Sequence, residues 1–524
     1  MSELRQRVSA GLSLTVLNRI MVNAVPALIV LAAVKLVSPI EFGIYNVYLA
    51  LGGLLGRLTA LGWPDAIARY VPRLDTDSDR RRLASFVGEA VLTRFVISLA
   101  IAAGLVLAFH PLSQVLKFGG YERAFQLFVV SMVLLTVSDL LTAAVQSLLL
   151  QRELFAIGLT AGLLQIGYMT VLYVRGSGDL LALVWMELGK NVLFVIMLGL
   201  VMVRSVGLSA LAGIGSRAHR VRDQSMTRYR WFSVANDLGI ELLSRRSDFL
   251  LLSYLATTVQ VAIYAVPSRV ARFIEMLIPV SLLKGPLESA FYRAYERDPS
   301  PANATRLFQV LVKVNTTVLG FFVAVSLSVG GALFRWIFGT TYAASGTIFT
   351  IMLGFLALNH FPVGLVLRAA ERMDLILRGK LSYLLNLALA IVLVPRWGAV
   401  GMALATMLAL SLRTWIVYAA ARRVTGITMP WAALAGIAVN TAASALALVA
   451  VRSLWGTSPV ALAAAAALGA VVYGGLTLLR SGYNTVELRL LESLLPPSIR
   501  SHRLAQSLFG SLVARAQWQG AGSK

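Results

Sequence analysis

Ten basic residues fall inside stretches that are otherwise apolar: Arg19, Arg57, Arg94, Lys190, Arg245, Arg246, Arg269, Arg272, Lys313 and Arg413. A cation facing lipid near the bilayer centre costs about 2.5–3.5 kcal/mol on insertion scales, so such residues must face protein or water. Arg57 and Arg413 stand near the expected inner ends of their stretches, where a long side chain can reach the interface. The other eight, Arg19, Arg94, Lys190, Arg245, Arg246, Arg269, Arg272 and Lys313, are candidates for binding an anion, since guanidinium forks match phosphate oxygens. Asp237, Glu241, Arg245 and Asp248 are spaced 4, 4 and 3 apart, which puts all four on one helix face. Arg19 with Asn23, Asp139 with Thr142 and Gln146, Glu187 with Lys190, and Arg269 with Arg272 align in the same way. Polar stripes on several segments describe a hydrated cavity. Pairs such as Glu241–Arg245, Glu187–Lys190 and Arg272–Glu275 would neutralise part of the charge, yet the bases outnumber the acids available. Asp139, Asp237, Glu241 and Asp248 are the candidate sites for a coupling proton or sodium ion.

The elements that must position these residues follow from composition. Of 524 residues, 58% are hydrophobic and 14% charged, and the mean hydropathy is +0.77. A chain this apolar, with runs of about 20 residues and few charges, is expected to be an all-α polytopic membrane protein. Fourteen stretches qualify, near 12–35, 43–62, 84–109, 123–149, 154–174, 180–203, 229–255, 261–283, 307–329, 346–367, 381–395, 398–421, 431–451 and 458–479. With the N-terminus inside, the inner segments hold 30 Lys and Arg, the outer loops 7 and the spans 10. That asymmetry is the positive-inside rule and places both termini in the cytoplasm. The same rule absorbs the net charge of +23, so no nucleic acid partner is implied.

Several chemistries are excluded. There is no cysteine and only four scattered histidines, which removes disulfides and thiolate chemistry and leaves no basis for a metal site. His110 and His360 are isolated, and no catalytic residue is expected. No Gly-x-x-x-x-Gly-Lys loop is present, which argues against direct use of ATP. Ser281-Leu282-Leu283-Lys284 lacks the partner motifs of an acylating site, and the sequon Asn303-Ala304-Thr305 lies on an inner loop. The longest loop, Arg204 to Arg230, is too short for a soluble catalytic domain. The tail from 480 to 524 carries leucines at amphipathic spacing around Pro496-Pro497 and reads as an anchor on the inner membrane surface.

The second and eighth stretches begin alike, Glu41-Phe42-Gly43-Ile44-Tyr45 against Val261-Ala262-Ile263-Tyr264, and each runs on to a proline, Pro64 and Pro286. Six spans separate them, so two six-helix halves in parallel orientation are expected. The divisions are 1–203 (first lobe), 204–230 (basic linker), 231–424 (second lobe), 425–479 (spans thirteen and fourteen) and 480–524 (tail). Proline and glycine in Ser38-Pro39 with Phe42-Gly43, and in Pro395-Arg396-Trp397-Gly398, suggest tight turns. Gly398, Gly401, Ala403 and Ala405 form a small-residue face for helix contact.

Four segments carry a family resemblance: Leu36-Val37-Ser38-Pro39-Ile40-Glu41-Phe42-Gly43-Ile44-Tyr45; Ser247-Asp248-Phe249-Leu250 with Val261-Ala262-Ile263-Tyr264; Leu333-Phe334-Arg335-Trp336-Ile337-Phe338-Gly339; and Leu393-Val394-Pro395-Arg396-Trp397-Gly398-Ala399-Val400-Gly401. In this order they make the chain resemble the Wzx-type polysaccharide and O-antigen flippases of the multidrug/oligosaccharidyl-lipid/polysaccharide (MOP) exporter superfamily. Ala262 stands where that family has glycine. The resemblance implies a V-shaped two-lobed bundle working by alternating access in the bacterial cytoplasmic membrane, without a cofactor. Its implied cargo is an undecaprenyl-diphosphate-linked oligosaccharide for cell-surface polysaccharide synthesis, with a glycan polymerase and a chain-length regulator as partners. Spans thirteen and fourteen would form a groove for the polyprenyl tail. A drug or metabolite antiporter of the same superfamily is the alternative, but it would favour an acidic cavity. A multispan transferase is the other alternative, and it would need a catalytic His or acidic pair. Export of an anion is favoured by the membrane potential, about 2.3 kcal/mol per charge per 100 mV.

Overall fold

The computed structural model describes residues 25–74, 80–207, 227, 230, 231, 234, 245–282, 284–298, 300–456, 458–479, 483, 488 and 510. Among these residues every regular element is helical. Among the described residues, nine helices are long and apolar enough to cross a membrane, or ten if one bent pair counts as a single span. Expected spans 12–35 and 229–255 lie partly outside the described residues. Span 261–283 corresponds to a continuous helix, Thr258–Leu277, that contains Pro267 and carries Arg269, Arg272 and Glu275. Its charges set it apart from the purely apolar spans.

Chain contacts divide the protein into two compact units, Met1–Arg269 with Val394–Met402, and Val270–Leu393 with Ala403–Lys524. The first unit contains α1 (Val25–Leu36), α2 (Pro39–Ala60), α3 (Trp63–Leu74), α4 (Arg80–Leu107), α5 (Phe109–Val115), α6 (Glu122–Ser147), α7 (Gln151–Arg175), α8 (Leu180–Val206) and α9 (Arg245–Leu255). Helix α10 (Thr258–Leu277) begins in this unit and ends in the other. Helix α6 is the pillar: 67% of its apolar window is buried, and it packs on α2, α3, α4 and α8. Tyr48 of α2 stacks on Phe128 of α6 at 5.1 Å.

Helix α2 shows how local sequence sets an element. Ser38 caps it by accepting from the Glu41 N–H at 3.3 Å, while the Glu41 carboxylate accepts from the Ser38 N–H at 3.1 Å. Pro39 follows at the first helical position, where its missing N–H costs nothing. Phe42-Gly43 is therefore helical rather than the turn expected from sequence. Gly43 is needed for another reason: a Cβ there would stand 1.9 Å from the Thr258 carbonyl oxygen. The glycine lets the start of α10 lie directly on α2. Leu61 and Gly62, at φ 45° and 70°, end α2, and α3 continues at a 55° bend. Arg230, from the end of the basic linker, covers that bend with its guanidinium 3.7 Å from the centre of the Trp63 ring.

The second unit contains α11 (Lys284–Arg297), α12 (Pro301–Phe338, with a π-helical segment at Ser326–Gly330), α13 (Ala343–Asn359), α15 (Trp431–Trp455) and α16 (Pro459–Leu479). Helix α14 (Ser382–Thr425) has 44 residues, about 66 Å at 1.5 Å per residue and twice the hydrocarbon thickness. Gly398, at φ 54° and ψ −129°, breaks it into two helices, in keeping with the expected turn. The Gln260 side chain occupies the space where a Cβ on Gly398 would be and accepts from the Ala399 N–H at 2.8 Å. Helix α12 packs on α13, α15 and α16. The large apolar side chains Leu446, Val460 and Val471 stand about three-quarters exposed, as bilayer-facing helices require.

Candidate functional site

In the first unit, charges from several helices act on one carboxylate. Asp139, on the buried pillar α6, is nevertheless 55% exposed and faces open space. Arg94 of α4 approaches it to 3.7 Å and donates to the Gly56 carbonyl at 2.8 Å. Arg94 is almost wholly enclosed, and its Nε and one terminal nitrogen have no hydrogen-bond partner. Arg246, Arg57 and Lys190 also act electrostatically on Asp139. Lys190 is itself paired with Glu187, and Arg57 and Arg246 are exposed.

Small residues of α2 make this gathering possible. A Cβ on Gly53 would lie 2.5–2.7 Å from the Arg246 side chain, so that arginine runs flat across the helix at Gly53. Gly56, one turn on, leaves its carbonyl open to Arg94. Neutral polar pairs hold the helices around the cluster. Ser98 and Thr136 meet at 2.9 Å between α4 and α6. Asn191 of α8 donates to the Ser131 hydroxyl of α6 at 2.9 Å. Such interhelical hydrogen bonds contribute about 0.6 kcal/mol on average in a bilayer.

A second group adjoins α2. Tyr45 donates to the Glu187 carboxylate of α8 at 2.7 Å, and Glu187 is also paired with Lys190. Arg269 of α10 donates to the Asn46 side-chain oxygen at 2.7 Å and interacts with Tyr45 and Glu187. Asp248, fully buried on α9, accepts from the Tyr264 hydroxyl of α10 at 2.9 Å. Tyr45 and Tyr264 are the matching residues of the internal repeat, and each holds a buried carboxylate of another helix. Sequence reasoning used these tyrosines only as markers of repetition.

Of the twelve expected site residues, the structure pairs Arg94 with Asp139 and places Arg246 and Lys190 within electrostatic reach of that carboxylate. Arg57, set aside at the sequence level as an interfacial residue, joins them. Arg246 lies toward Asp139, whereas Arg269 donates to Asn46. Arg272 belongs to the second unit and is exposed. Lys313, also in the second unit, lines a cavity of about 520 Å³ among α12, α15 and α16. Arg19, Asp237, Glu241 and the side chain of Arg245 lie outside the described residues. Among the described residues, no group of three His, Cys, Asp or Glu could hold a metal ion.

A membrane chain that is helical throughout its described elements, with two repeat-related Tyr–carboxylate pairs in its first unit, can be compared with solved structures. A lipid II flippase, MurJ, in an inward closed conformation matches with a TM-score of 0.66, at 12% identity, over 89% of this chain and 97% of that one. The two chains share a fold. A multidrug resistance MATE transporter of the MOP superfamily matches in its inward-facing conformation with a TM-score of 0.54, at 12% identity, over 79% of this chain and 94% of that one. An outward-facing MATE structure gives 0.52, at 13% identity, over 79% and 96%. No protein-family description matches the sequence, and no curated protein matches it. The likeness thus resides in the arrangement of helices.

Proposed function

We propose that the chain is a transporter, not an enzyme, that carries an anionic lipid-linked oligosaccharide across the bacterial cytoplasmic membrane by alternating access. The cargo class is an undecaprenyl-diphosphate-linked repeat unit for cell-surface polysaccharide, of the kind moved by Wzx-type flippases. The observation that carries this reading is the cluster at Asp139, where, among the described residues, Arg94, Arg57 and Arg246 act on one carboxylate within membrane-spanning helices while Lys190 is paired with Glu187. Such an excess suits a diphosphate, whose oxygens accept from guanidinium groups at about 1.5–3 kcal/mol per charge-assisted bond. It disfavours the cationic drugs that an antiporter of the same fold would take. The flippase named among the similar structures also moves a lipid-linked cargo, which agrees with this choice. Asp139 is the proposed site for a coupling proton or sodium ion, because its exposure gives the ion a path. Both termini lie in the cytoplasm in this reading, and a glycan polymerase and chain-length regulator act on the product.

Proteoliposomes test it. The purified chain should translocate a fluorescent undecaprenyl-diphosphate glycan and leave a cationic dye such as ethidium unmoved. Ethidium movement without glycan movement would reverse the assignment.

A further inference from the structure

The cavity in the second unit has a chemistry unlike that of the Asp139 cluster. Its volume is about 520 Å³, within the 300–1,000 Å³ of small-molecule sites. Lys313 of α12 lines it and is only 8% exposed. The Lys313 ammonium stands 5.8 Å from the centre of the Tyr483 ring. Asn440 of α15 lines the same cavity at 3% exposure, and its side-chain oxygen has no hydrogen-bond partner. Thr477 of α16 adds a hydroxyl. An amide oxygen this deep that finds no donor in the protein is expensive unless a guest in the cavity supplies one.

Two further features say where the ligand comes from. Helices α15 and α16 are surrounded by lipid over most of their surface, with only 22% and 28% of their apolar windows buried. Trp431 opens the cavity wall at the start of α15, 61% exposed, in the manner of an interfacial aromatic. From there to Asn440 is nine residues, about 13 Å of helix. The cavity therefore runs from head-group level into the leaflet that charge asymmetry assigns to the cytoplasm.

We infer that this cavity binds the head group of an anionic phospholipid whose phosphodiester carries hydroxyl groups, as phosphatidylglycerol does. Lys313 receives the phosphate, and a head-group hydroxyl donates to the Asn440 oxygen. Phosphatidylcholine has no donor for Asn440. Phosphatidylethanolamine brings a second cation toward Lys313. The inference stands independently of the cargo proposed above, because it rests on Lys313 and Asn440 rather than on the Asp139 cluster.

Native mass spectrometry of the full-length chain, titrated with defined lipids, tests this. Wild type should retain phosphatidylglycerol at least about tenfold more tightly than phosphatidylethanolamine or phosphatidylcholine. Lys313→Gln should abolish that preference and Lys313→Arg should keep most of it. Gly436→Leu is a steric control for misfolding: Gly436 lines the cavity and a Cβ there meets nothing within 4 Å. A leucine would fill the space with the charge intact, and binding should fall as far as in Lys313→Gln while the protein stays monodisperse. Equal retention of the three lipids overturns the inference. So does displacement of phosphatidylglycerol by inorganic phosphate, which would make this a soluble-anion site, or by equimolar undecaprenyl diphosphate, which would make it a cargo site.

Discussion

The Asp139 cluster and the Lys313 cavity are polar interiors of the described protein that solve the problem of burying charge in opposite ways. Around Asp139, several helices each contribute one long charged side chain, and Gly53 of α2 makes room for one of them. Among the described residues, the cations acting on Asp139 outnumber it. At Lys313 a single cation meets amide and hydroxyl groups on three helices, and an acceptor remains unpaired. A cluster of the first kind can change partners at small cost, because each cation has alternatives. One of the second kind gains most from a ligand that stays. A transporter needs the first arrangement for cargo, and the second suits a resident lipid.

The largest expected effect comes from removing the exposed cations of the cluster. Arg57→Gln with Arg246→Gln should lower cargo transport by roughly 100-fold or more, each lost charge-assisted bond being worth about 1.5–3 kcal/mol. Lysine at both positions should restore part of that, since it keeps charge without the bidentate fork. Proteoliposome flux measures both, and unchanged flux in the glutamine pair would break the contrast between the two interiors. Next in size is Glu187→Gln. It removes the partner of Lys190 and weakens the bond from Tyr45, so melting of the detergent-solubilised protein should show a loss of about 1–3 kcal/mol.

Gly53→Ala should be milder and more selective. The added methyl group meets only the flexible end of Arg246, so the fold should survive while that guanidinium is displaced. A several-fold fall in transport with unchanged melting is expected. Gly43→Ala sharpens the point. Its methyl meets the Thr258 backbone, so stability should fall and no side-chain adjustment can relieve it. The smallest effect should be Tyr264→Phe. It leaves the carboxylate of Asp248 without the Tyr264 donor and should cost about 1 kcal/mol, matched by Tyr45→Phe if the repeat-related pairs are equivalent.

Much of the fold and part of the site were legible in the sequence. Apolar stretches with sparse charges mark spans because transfer costs are large, and Arg94, Asp139, Lys190 and Arg246 stood out for the same reason. Arg57 did not, because the stretch seemed to end nearby, whereas the chain bends at Leu61-Gly62 and continues as α3. Gly43 was misread because a glycine after Ser-Pro signals a turn, and only a neighbouring backbone reveals the need for a close approach. Tyr45 and Tyr264 were visible as a repeat, but their carboxylate partners lie 142 and 16 residues away. Lys313 was grouped with the arginines by charge alone. Asn440, a lone amide on an alanine-rich helix, gives no periodic signal. Its significance depends on an unmade hydrogen bond that only coordinates show.

The most direct test of the account is the affinity of the reconstituted protein for undecaprenyl diphosphate as salt is raised, in wild type and in the Arg57→Gln, Arg246→Gln pair. A basic site facing water should bind the diphosphate lipid in the wild type, lose affinity with salt, and weaken at least about tenfold in the double variant. The undecaprenyl monophosphate should bind less well than the diphosphate. Equal affinity in both proteins, or no preference for diphosphate over monophosphate, would contradict the assignment of the Asp139 cluster to an anionic cargo.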